Sequence, residues 1–364
     1  MSSLHLYSTL KSQLRKWLPE ERITRLRNLA WLMTGLFLAR SVHLSHIARK
    51  LPLPGRIDSL TNRLRRFLDN PRVDVWSYYR PVAKQLLALF RGQRLILLID
   101  CTALGFNYQL MVVAIAYRRR ALPLTWSVHR GKKGMVSTAA QIALLRRLVP
   151  LIPRKTEVWV VGDAGFGRGG LMRWLSKHHW HYCLRVNSAH HFYRQGMGWK
   201  SVATISLEQG ETRYLGWVRW TKQENFGWVQ LVAHWEEGEE EPWFLVTDRP
   251  AGRWTIRMYK KRMWVEELFG DLKGHGFDLE ATHLRDFGRL SRLTLAAMIV
   301  YVWLISVGSR VIKRGLRYLV DRRDRRDKSL FRIGWDWVER SLASGRRIPL
   351  NFRPVLGKTK VIGS

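Results

Sequence analysis

Two aspartates follow long apolar segments of the sequence. Asp100 comes at the end of RLILLID, and Asp163 follows EVWVVG, so each is predicted at the end of a strand buried on both faces. A carboxylate there is costly unless a cation, hydrogen bonds or a metal ion accompanies it. A cap or tight turn would explain either aspartate alone. Two of them in one sheet favour a shared divalent ion, because hard oxygen ligands suit Mg²⁺ or Mn²⁺.

A third carboxylate comes from YKKRMWVEELFGDLKGHG, residues 259–276. At roughly 100° per residue, a helix aligns four different polar side chains in one stripe. These residues are Tyr259, Arg262, Glu266 and Lys273. The apolar face beside the stripe consists of Val265, Leu268, Phe269 and Leu272. The residues predicted to turn away are Trp264, Glu267 and Asp271. The helix is expected to end at GHG, and an ordinary charged helix surface remains an alternative explanation for the stripe.

The charge of the chain favours a polyanionic partner. Its 364 residues include 63 Lys and Arg against 28 Asp and Glu, which gives a net charge of +35. Nucleic acid is the leading partner and an anionic membrane surface the second. The apolar run at 293–308 is short for a membrane span and predicts a buried helix instead. Two cysteines without metal-ligand spacing fit a reduced cytoplasmic protein.

The first 90 residues are predicted to be helical, since their apolar residues recur at intervals of three and four. The segment RIDSLTNRLRRFLDN places Arg63, Arg65 and Arg66 on one helix. A compact helical unit with a basic helix is typical of a DNA-binding domain. The alternative is a solvated helix in a basic protein.

From residue 91 the pattern changes to three strands, helix, strand, helix and strand, which indicates a mixed α/β sheet. We predict five regions. They are a helical DNA-binding domain at 1–90, a first core part at 91–188, an all-β insertion at 189–246, a second core part at 247–310 and a basic C-terminal region at 311–364. The last region is expected to be a basic face or a partly ordered arm that contacts phosphate.

The spacing Tyr259-x2-Arg262-x3-Glu266-x6-Lys273 resembles the YREK signature of insertion-sequence transposases of the insertion-sequence-4 type. LLIDCT and VVGDAGFG resemble the two aspartate motifs of that family. SLTNRLRRFLDN resembles its N-terminal helical region. The similarity covers about residues 40–300 and is most specific in the YREK spacing.

The resemblance implies a ribonuclease-H-like α/β core interrupted by the β insertion. It implies that Asp100, Asp163 and Glu266 hold two Mg²⁺ ions, for which Mn²⁺ can substitute. The implied enzyme is a DDE transposase that binds inverted-repeat ends, cleaves DNA by two-metal-ion phosphoryl transfer and joins 3′-hydroxyl ends to target DNA. Double-stranded DNA, a homodimer on that DNA and a bacterial cytoplasmic, nucleoid-associated location are the corresponding expectations, with no membrane partner.

The same resemblance gives roles to the remaining polar residues of the stripe. Tyr259, Arg262 and Lys273 are expected to contact DNA phosphates near the cleavage site. Members of the family often cut the second strand through a hairpin and place a flipped base on a tryptophan of the insertion. Trp243 and Trp254 are the candidates for that tryptophan, and core packing is the alternative role of each.

Three other functions stay open. Tyr259 as a nucleophile would make the protein a tyrosine recombinase, which leaves the three carboxylates unexplained. A ribonuclease-H-like nuclease would cleave DNA without joining strands. A non-catalytic basic DNA-binding protein would bind without cleaving.

Overall fold

The computed structural model describes residues 3–131 and 136–356, and the chain forms two compact units. The sheet unit is Phe90–Leu268, and the helical unit combines Met1–Leu89 with Phe269–Ser364. The first division lies at the predicted change of pattern near residue 90. The second division lies between residues 268 and 269, inside the predicted second core part. Residues 269–310 therefore belong to the same unit as the N-terminal helices.

The N-terminal part of the helical unit contains five helices, as its periodicity predicts. They are α1 (Ser3–Trp17), α2 (Ile23–Ala39), α3 (Leu44–Lys50), α4 (Ile57–Asp69) and α5 (Val75–Leu87). On α1 the leucines at every fourth position, Leu6, Leu10 and Leu14, are buried. Asp74 caps α5, because its carboxylate accepts a hydrogen bond from the Ser77 amide at 2.8 Å.

The sheet unit is built on one mixed sheet of ten strands. The first five are β1 (Arg94–Ala103), β2 (Tyr108–Tyr117), β3 (Arg120–Arg130), β4 (Glu157–Gly162) and β5 (His181–Val186). The second five are β6 (His191–Arg194), β7 (Gly198–Ser201), β8 (Thr212–Trp220), β9 (Gly227–His234) and β10 (Trp243–Thr247).

The strand order is β3-β2-β1-β4-β5-β10-β9-β8-β6-β7. Strands β1, β4 and β5 are parallel neighbours, and β2, β3 and β10 extend the sheet by antiparallel pairing. The parallel strands are almost fully buried, as their continuous apolar sequences predict. The carboxyl ends of three parallel strands therefore meet at one edge.

Residues 189–246 differ from the prediction in their connection to the core. Their strands do not form a separate sheet, because β10 pairs with β5 and carries β9, β8, β6 and β7 outward on the same sheet. The short strands β6 and β7 were not predicted. Four residues each are too few to show a clear alternation of apolar and polar side chains.

Four helices accompany the sheet between residues 138 and 272. They are α6 (Thr138–Arg146), α7 (Gly169–Lys177), α8 (Arg253–Lys260) and α9 (Met263–Leu272). The single helix predicted over 259–273 is therefore two helices, which a turn at Lys261 and Arg262 separates. The second helix ends at Leu272, one residue before Lys273 and the GHG segment, as expected.

The C-terminal part of the helical unit contains α10 (Phe287–Lys313) and α11 (Leu330–Ala343). By length and composition α10 could cross a membrane, but 89% of its most apolar window is buried in the fold, as in a core helix. Gly308 and Gly334 let α10 and α11 approach closely, since a Cβ on either would overlap a backbone carbonyl of the other helix. The predicted buried helix is present.

The described part of the predicted C-terminal region, 311–356, contains a capped helix with a buried face. Ser329 caps α11 by accepting a hydrogen bond from the Arg332 amide at 3.1 Å. Phe331 and Trp335 on that helix are buried. The part of this predicted region at 357–364 lies outside the described residues.

Candidate active site

The carboxyl ends of the three parallel strands bring polar residues to one level. Ile99 of β1 is in register with Gly162 of β4, and Gly162 is in register with Leu184 of β5. The next residues along the three strands are Asp100, Asp163 and Arg185. Because neighbouring strands are about 4.8 Å apart, two acids and one arginine form a row at this edge.

Asp100 occupies a buried position inside β1, and its side chain is 4% exposed. The strand continues to Ala103 and pairs with β2, so it does not end at the aspartate as predicted. One carboxylate oxygen accepts a hydrogen bond from the Cys101 amide at 2.7 Å. The other carboxylate oxygen accepts a hydrogen bond from the Arg262 guanidinium.

Asp163 directly follows β4 and organises a tight turn. Its Oδ1 accepts a hydrogen bond from the Gly165 amide at 2.9 Å, and its carbonyl accepts one from the Phe166 amide at 3.0 Å. Gly167 is required by close approach, because a Cβ there would lie 2.3 Å from the Arg185 carbonyl oxygen. The motif DAGFG is thus both a turn and the support of a strand-end carboxylate.

Arg262 links the first and third carboxylates. One terminal nitrogen of its guanidinium donates to Asp100 Oδ2 at 2.8 Å, and the other donates to Glu266 Oε1 at 2.8 Å. The turn between α8 and α9 sets the position of Arg262, and Glu266 lies one helical turn later. The Arg262 side chain is 13% exposed, whereas the Glu266 side chain is 55% exposed.

Tyr259 lies beside this ion pair and is 1% exposed. Its ring stacks edge-on against Trp243, with centroids 5.0 Å apart, and lies 5.9 Å from the Arg262 guanidinium. Burial raises the pKa of its hydroxyl, while Arg262 and Arg185 oppose that rise. Burial also opposes the charge of Arg262, but Tyr259, Asp100 and Glu266 raise the pKa of its guanidinium overall.

Arg185 was not predicted as a site residue. Its guanidinium contacts Glu241 Oε2 at 3.2 Å and the Pro242 carbonyl at 3.4 Å. It also lines a cavity of about 430 Å³ together with Ala164, the residue after Asp163. The available signal was HYCLRV, which places a polar residue at the end of an apolar strand as the two aspartate segments do.

The other residues of the predicted helix differ in burial and in their partners. Val265, Leu268, Phe269 and Leu272 are buried, as predicted. Glu267 turns away as expected and pairs with Arg120. Asp271, also predicted to turn away from the stripe, is buried, at 5% exposed. Lys273 follows the end of α9 and pairs with Glu280 at 2.5 Å.

Comparison with protein families gives one match, to the model described as a transposase DDE domain, over residues 101–303. This match covers more than half of the chain. The chain belongs to the DDE transposase domain family. No curated protein sequence matches it. Among solved structures, a cryo-EM structure of a piggyBac transposase synaptic complex with hairpin DNA is similar to 99% of this chain and 87% of its own, with 10% identity and a TM-score of 0.41.

The DDE transposase domain implies divalent metal ions. Among the described residues, no group of three or more histidine, cysteine, aspartate or glutamate side chains is close enough to hold one. The donor set nevertheless fits such an ion, because a cation already lies between Asp100 and Glu266 and Asp163 lies level with Asp100.

The two tryptophans predicted to receive a base are packed. Trp243 is 2% exposed, and the indole nitrogen of Trp254 donates to the Pro250 carbonyl at 3.0 Å. Trp217 and Trp228 are the exposed tryptophans of β8 and β9, at 47% and 55%. The register pairs Trp217 with Gln230 and Arg219 with Trp228, so all four lie on one sheet face. The alternation in GWVRW, in which Val218 and Trp220 are buried, was the signal for this face.

The three basic residues predicted on α4 are exposed. Arg63 donates to Asn28 Oδ1 and Arg65 to Asn62 Oδ1, both at 2.8 Å. Neither arginine is paired with a carboxylate by these contacts. All three, including Arg66, present charge on the face of α4 opposite its buried Leu60 and Leu64.

Proposed function

We propose that this DDE transposase domain protein is an insertion-sequence transposase of the YREK type with a ribonuclease-H-like core. The order β3-β2-β1-β4-β5, with β1, β4 and β5 parallel, supports that core. One observation carries the proposal. Asp100 and Asp163 lie level on adjacent strands, and Arg262 joins Asp100 to Glu266.

In this proposal Asp100, Asp163 and Glu266 would hold two divalent ions, Mg²⁺ or Mn²⁺, which would activate the attacking oxygen and stabilise the leaving 3′-oxygen. The protein's own groups place the DNA. Arg262 and Arg185 are cations at the carboxylate edge, and a guanidinium can grip a phosphate with two hydrogen bonds. Lys273 adds a point charge near the end of α9.

Tyr259 has a positioning role in this proposal. Since it is buried beside the Arg262 guanidinium, it helps to position that side chain, and a phosphate contact of its own would require the ring to rearrange. The direct phosphate contacts then come from the two arginines. A tyrosine nucleophile is disfavoured by the same burial and by its raised pKa.

Double-stranded DNA is the proposed partner, with the basic face of α4 as a contact to transposon ends. The net charge of +35 supports a polyanionic partner. Joining two ends in concert requires two active sites, so a homodimer on DNA in the bacterial cytoplasm completes the proposal. The exposed Trp217 and Trp228 join Trp254 as candidates for base stacking, whereas Trp243 is buried, and an indole must be accessible to stack.

The proposal is tested by Asp100→Asn, Asp163→Asn and Glu266→Gln in full-length protein. Each is expected to keep DNA binding and lose more than about a hundredfold of Mg²⁺-dependent cleavage, because loss of a metal-orienting group alone costs up to that factor. Glu267→Gln is the matched control on the same helix, since Glu267 pairs with Arg120 instead. Cleavage of labelled inverted-repeat ends and gel-shift affinity are the measurements.

Full cleavage by any of the three variants would remove that residue from the site. Transfer of the cut 3′ ends to a second DNA distinguishes a transposase from a nuclease on the same core. Binding without cleavage in Mg²⁺ or Mn²⁺ would favour the non-catalytic DNA-binding alternative.

A further inference from the structure

A second basic surface lies in the helical unit. It is an open cleft of about 670 Å³ between α1, the end of α10 and the segment that follows α11. We name it the basic cleft. Its cations are Lys16, Arg310, Arg314 and Arg347, and its polar lining includes His5, Ser8, Thr9, Ser12, Gln13 and Asn351.

The wall of the cleft after α11 is fixed by contacts to both helices. The Trp303 indole donates to the Pro349 carbonyl at 3.0 Å, and the Val355 amide donates to Ser309 Oγ at 3.0 Å. Phe352 is buried and packs edge-on against Trp17, with centroids 4.5 Å apart. These contacts hold the preceding Arg347 across from α1 and α10.

The four cations of the cleft have no carboxylate partner among the described residues. No ion pair or side-chain hydrogen bond joins Lys16, Arg310, Arg314 or Arg347 to an acid, and no acid lines the cleft. Arg310 Nε is buried and makes no hydrogen bond. Elsewhere in the same unit, arginines do pair, as Arg317 does with Asp321 at 2.6 Å. What distinguishes the cleft is that four unpaired cations line one surface with no acid among them.

Helix dipoles account for only part of this charge. Lys16 is in the last turn of α1, and Arg310 and Arg314 lie at the end of α10, where the helix C-terminus attracts cations. Each helix end supplies roughly half a negative charge. Two ends leave most of the charge of four cations uncompensated, so an anion from outside the chain is the group that the cleft lacks.

The lining indicates what that anion is. The hydroxyls of Ser8 and Ser12 lie one helical turn apart on α1, and no Phe, Tyr or Trp lines the cleft. Arginine, lysine and small hydroxyls are the usual contacts to phosphodiester oxygens, whereas base recognition needs groove or stacking contacts. We propose that the basic cleft binds the phosphate backbone of DNA independently of sequence. This inference rests on the proposed function, which makes DNA the substrate.

The test uses full-length protein and a non-specific DNA duplex in EDTA, so that no cleavage occurs. Binding constants over a salt series are measured for Arg314→Gln/Arg347→Gln. The control is Arg154→Gln/Lys155→Gln, which removes two exposed charges at the turn before β4, at the opposite end of that strand from Asp163. Arg310 is left intact because it is half-buried.

The slope of log K against log salt should become shallower by about 1.8 in the cleft variant, at roughly 0.9 per phosphate contact. The control should keep the wild-type slope. Thermal unfolding verifies the fold of both variants. An unchanged slope in the cleft variant, or an equal change in the control, would overturn the proposal. Thermal unfolding with added inorganic phosphate distinguishes a second source of the anion. If phosphate raises the melting temperature of wild type but not of the cleft variant, and the slope is unchanged, the cleft binds free phosphate and the proposal is overturned.

The result is independent of catalysis. If the carboxylate variants lose cleavage but the cleft variant keeps the wild-type salt slope, the proposed active site stands and the proposed role of the cleft is rejected. If the cleft variant has a shallower salt slope but the wild-type protein never cleaves DNA, the role of the cleft stands and the proposed catalytic function is rejected.

Discussion

The carboxylate site of the sheet unit and the basic cleft of the helical unit treat positive charge in opposite ways. Arg262 is nearly buried and satisfied by two carboxylates at 2.8 Å. In the basic cleft, Arg314 and Arg347 are exposed, and no carboxylate pairs with them among the described residues. Arg262 lies in a site that supplies its counter-charges, whereas the cleft arginines have no counter-charge among the described residues.

The difference shows how a buried, paired cation and an exposed, unpaired cation should differ in their contribution to stability. Removing a cation from a buried pair leaves an uncompensated charge, which is strongly destabilising. Removing one of several unpaired cations relieves repulsion and costs little. Stability should therefore fall far more when Arg262 is removed than when a cation of the basic cleft is removed.

The largest effect is expected for Arg262→Ala compared with Arg314→Ala. Arg262→Ala should lower the free energy of unfolding by about 3–5 kcal/mol, because Asp100 is then buried without its cation. Arg314→Ala should change it by less than about 0.5 kcal/mol, in the stabilising direction. Denaturant unfolding of the two variants measures both values. Excess Mg²⁺ should recover part of the loss in Arg262→Ala, since an ion can then compensate the carboxylates.

Arg120→Ala is the control for this comparison, because it breaks a pair to Glu267 on the same helix without touching Asp100. An equal loss of stability from Arg314→Ala would show that the cleft cations have hidden partners. Absence of any Mg²⁺ effect on Arg262→Ala would argue that the position between Asp100 and Glu266 is not a metal position.

An intermediate effect is expected when a carboxylate is introduced into the basic cleft. Ser12→Asp should stabilise the protein by up to about 1 kcal/mol, as exposed ion pairs do, and weaken binding to non-specific DNA. Ser12→Asn is the neutral control of the same shape. Thermal unfolding and a salt series measure the two quantities. Higher stability with undiminished DNA binding would separate the cleft from DNA.

The smallest effect is expected at a histidine cluster of the helical unit. The His43 ring lies 5.0 Å from His46 and 5.3 Å from His283. Burial and these two neighbours lower the pKa of His43, against a smaller opposing effect of Asp278. The folded state therefore binds fewer protons than the unfolded state. The stability contributed by neutral His43 is present above pH 6.5 and is lost as pH falls below it.

His43→Gln should accordingly lose less stability than wild type over that acidic range. Unfolding curves at several pH values check the difference. A variant whose acid sensitivity equals that of wild type would show that the repulsion at His43 is too weak to matter.

Much of the sheet unit could be predicted from local patterns. Continuous apolar runs identified β1, β4 and β5, and aromatic alternation identified β8, β9 and β10. The spacing on the predicted helix identified Arg262 and Glu266 as neighbours, which their hydrogen bond confirms. The turn at 261–262 was missed, because a continuous helix and a helix with a short break show nearly the same spacing of apolar residues over a few positions.

Other features depended on pairing between distant segments. Nothing local shows that β10 pairs with β5 and joins the strands of 189–246 to the core sheet. Arg185 was missed for the same reason, since its importance follows from strand register. Trp243 was misjudged as a candidate for base stacking because its 2% exposure is set by Tyr259 and His234.

The sequence by itself determined which residues carry charge, which strands are buried and where Asp163 and Glu266 stand on their elements, because burial and helical periodicity are local properties. The tertiary structure decided that Asp100, Asp163 and Arg185 lie level on neighbouring strands and that Arg262 bridges two carboxylates. It also decided that four cations line a cleft that contains no carboxylate. Those facts depend on register and on packing between residues far apart in the chain, and electrostatic energy depends on such distances rather than on order along the chain.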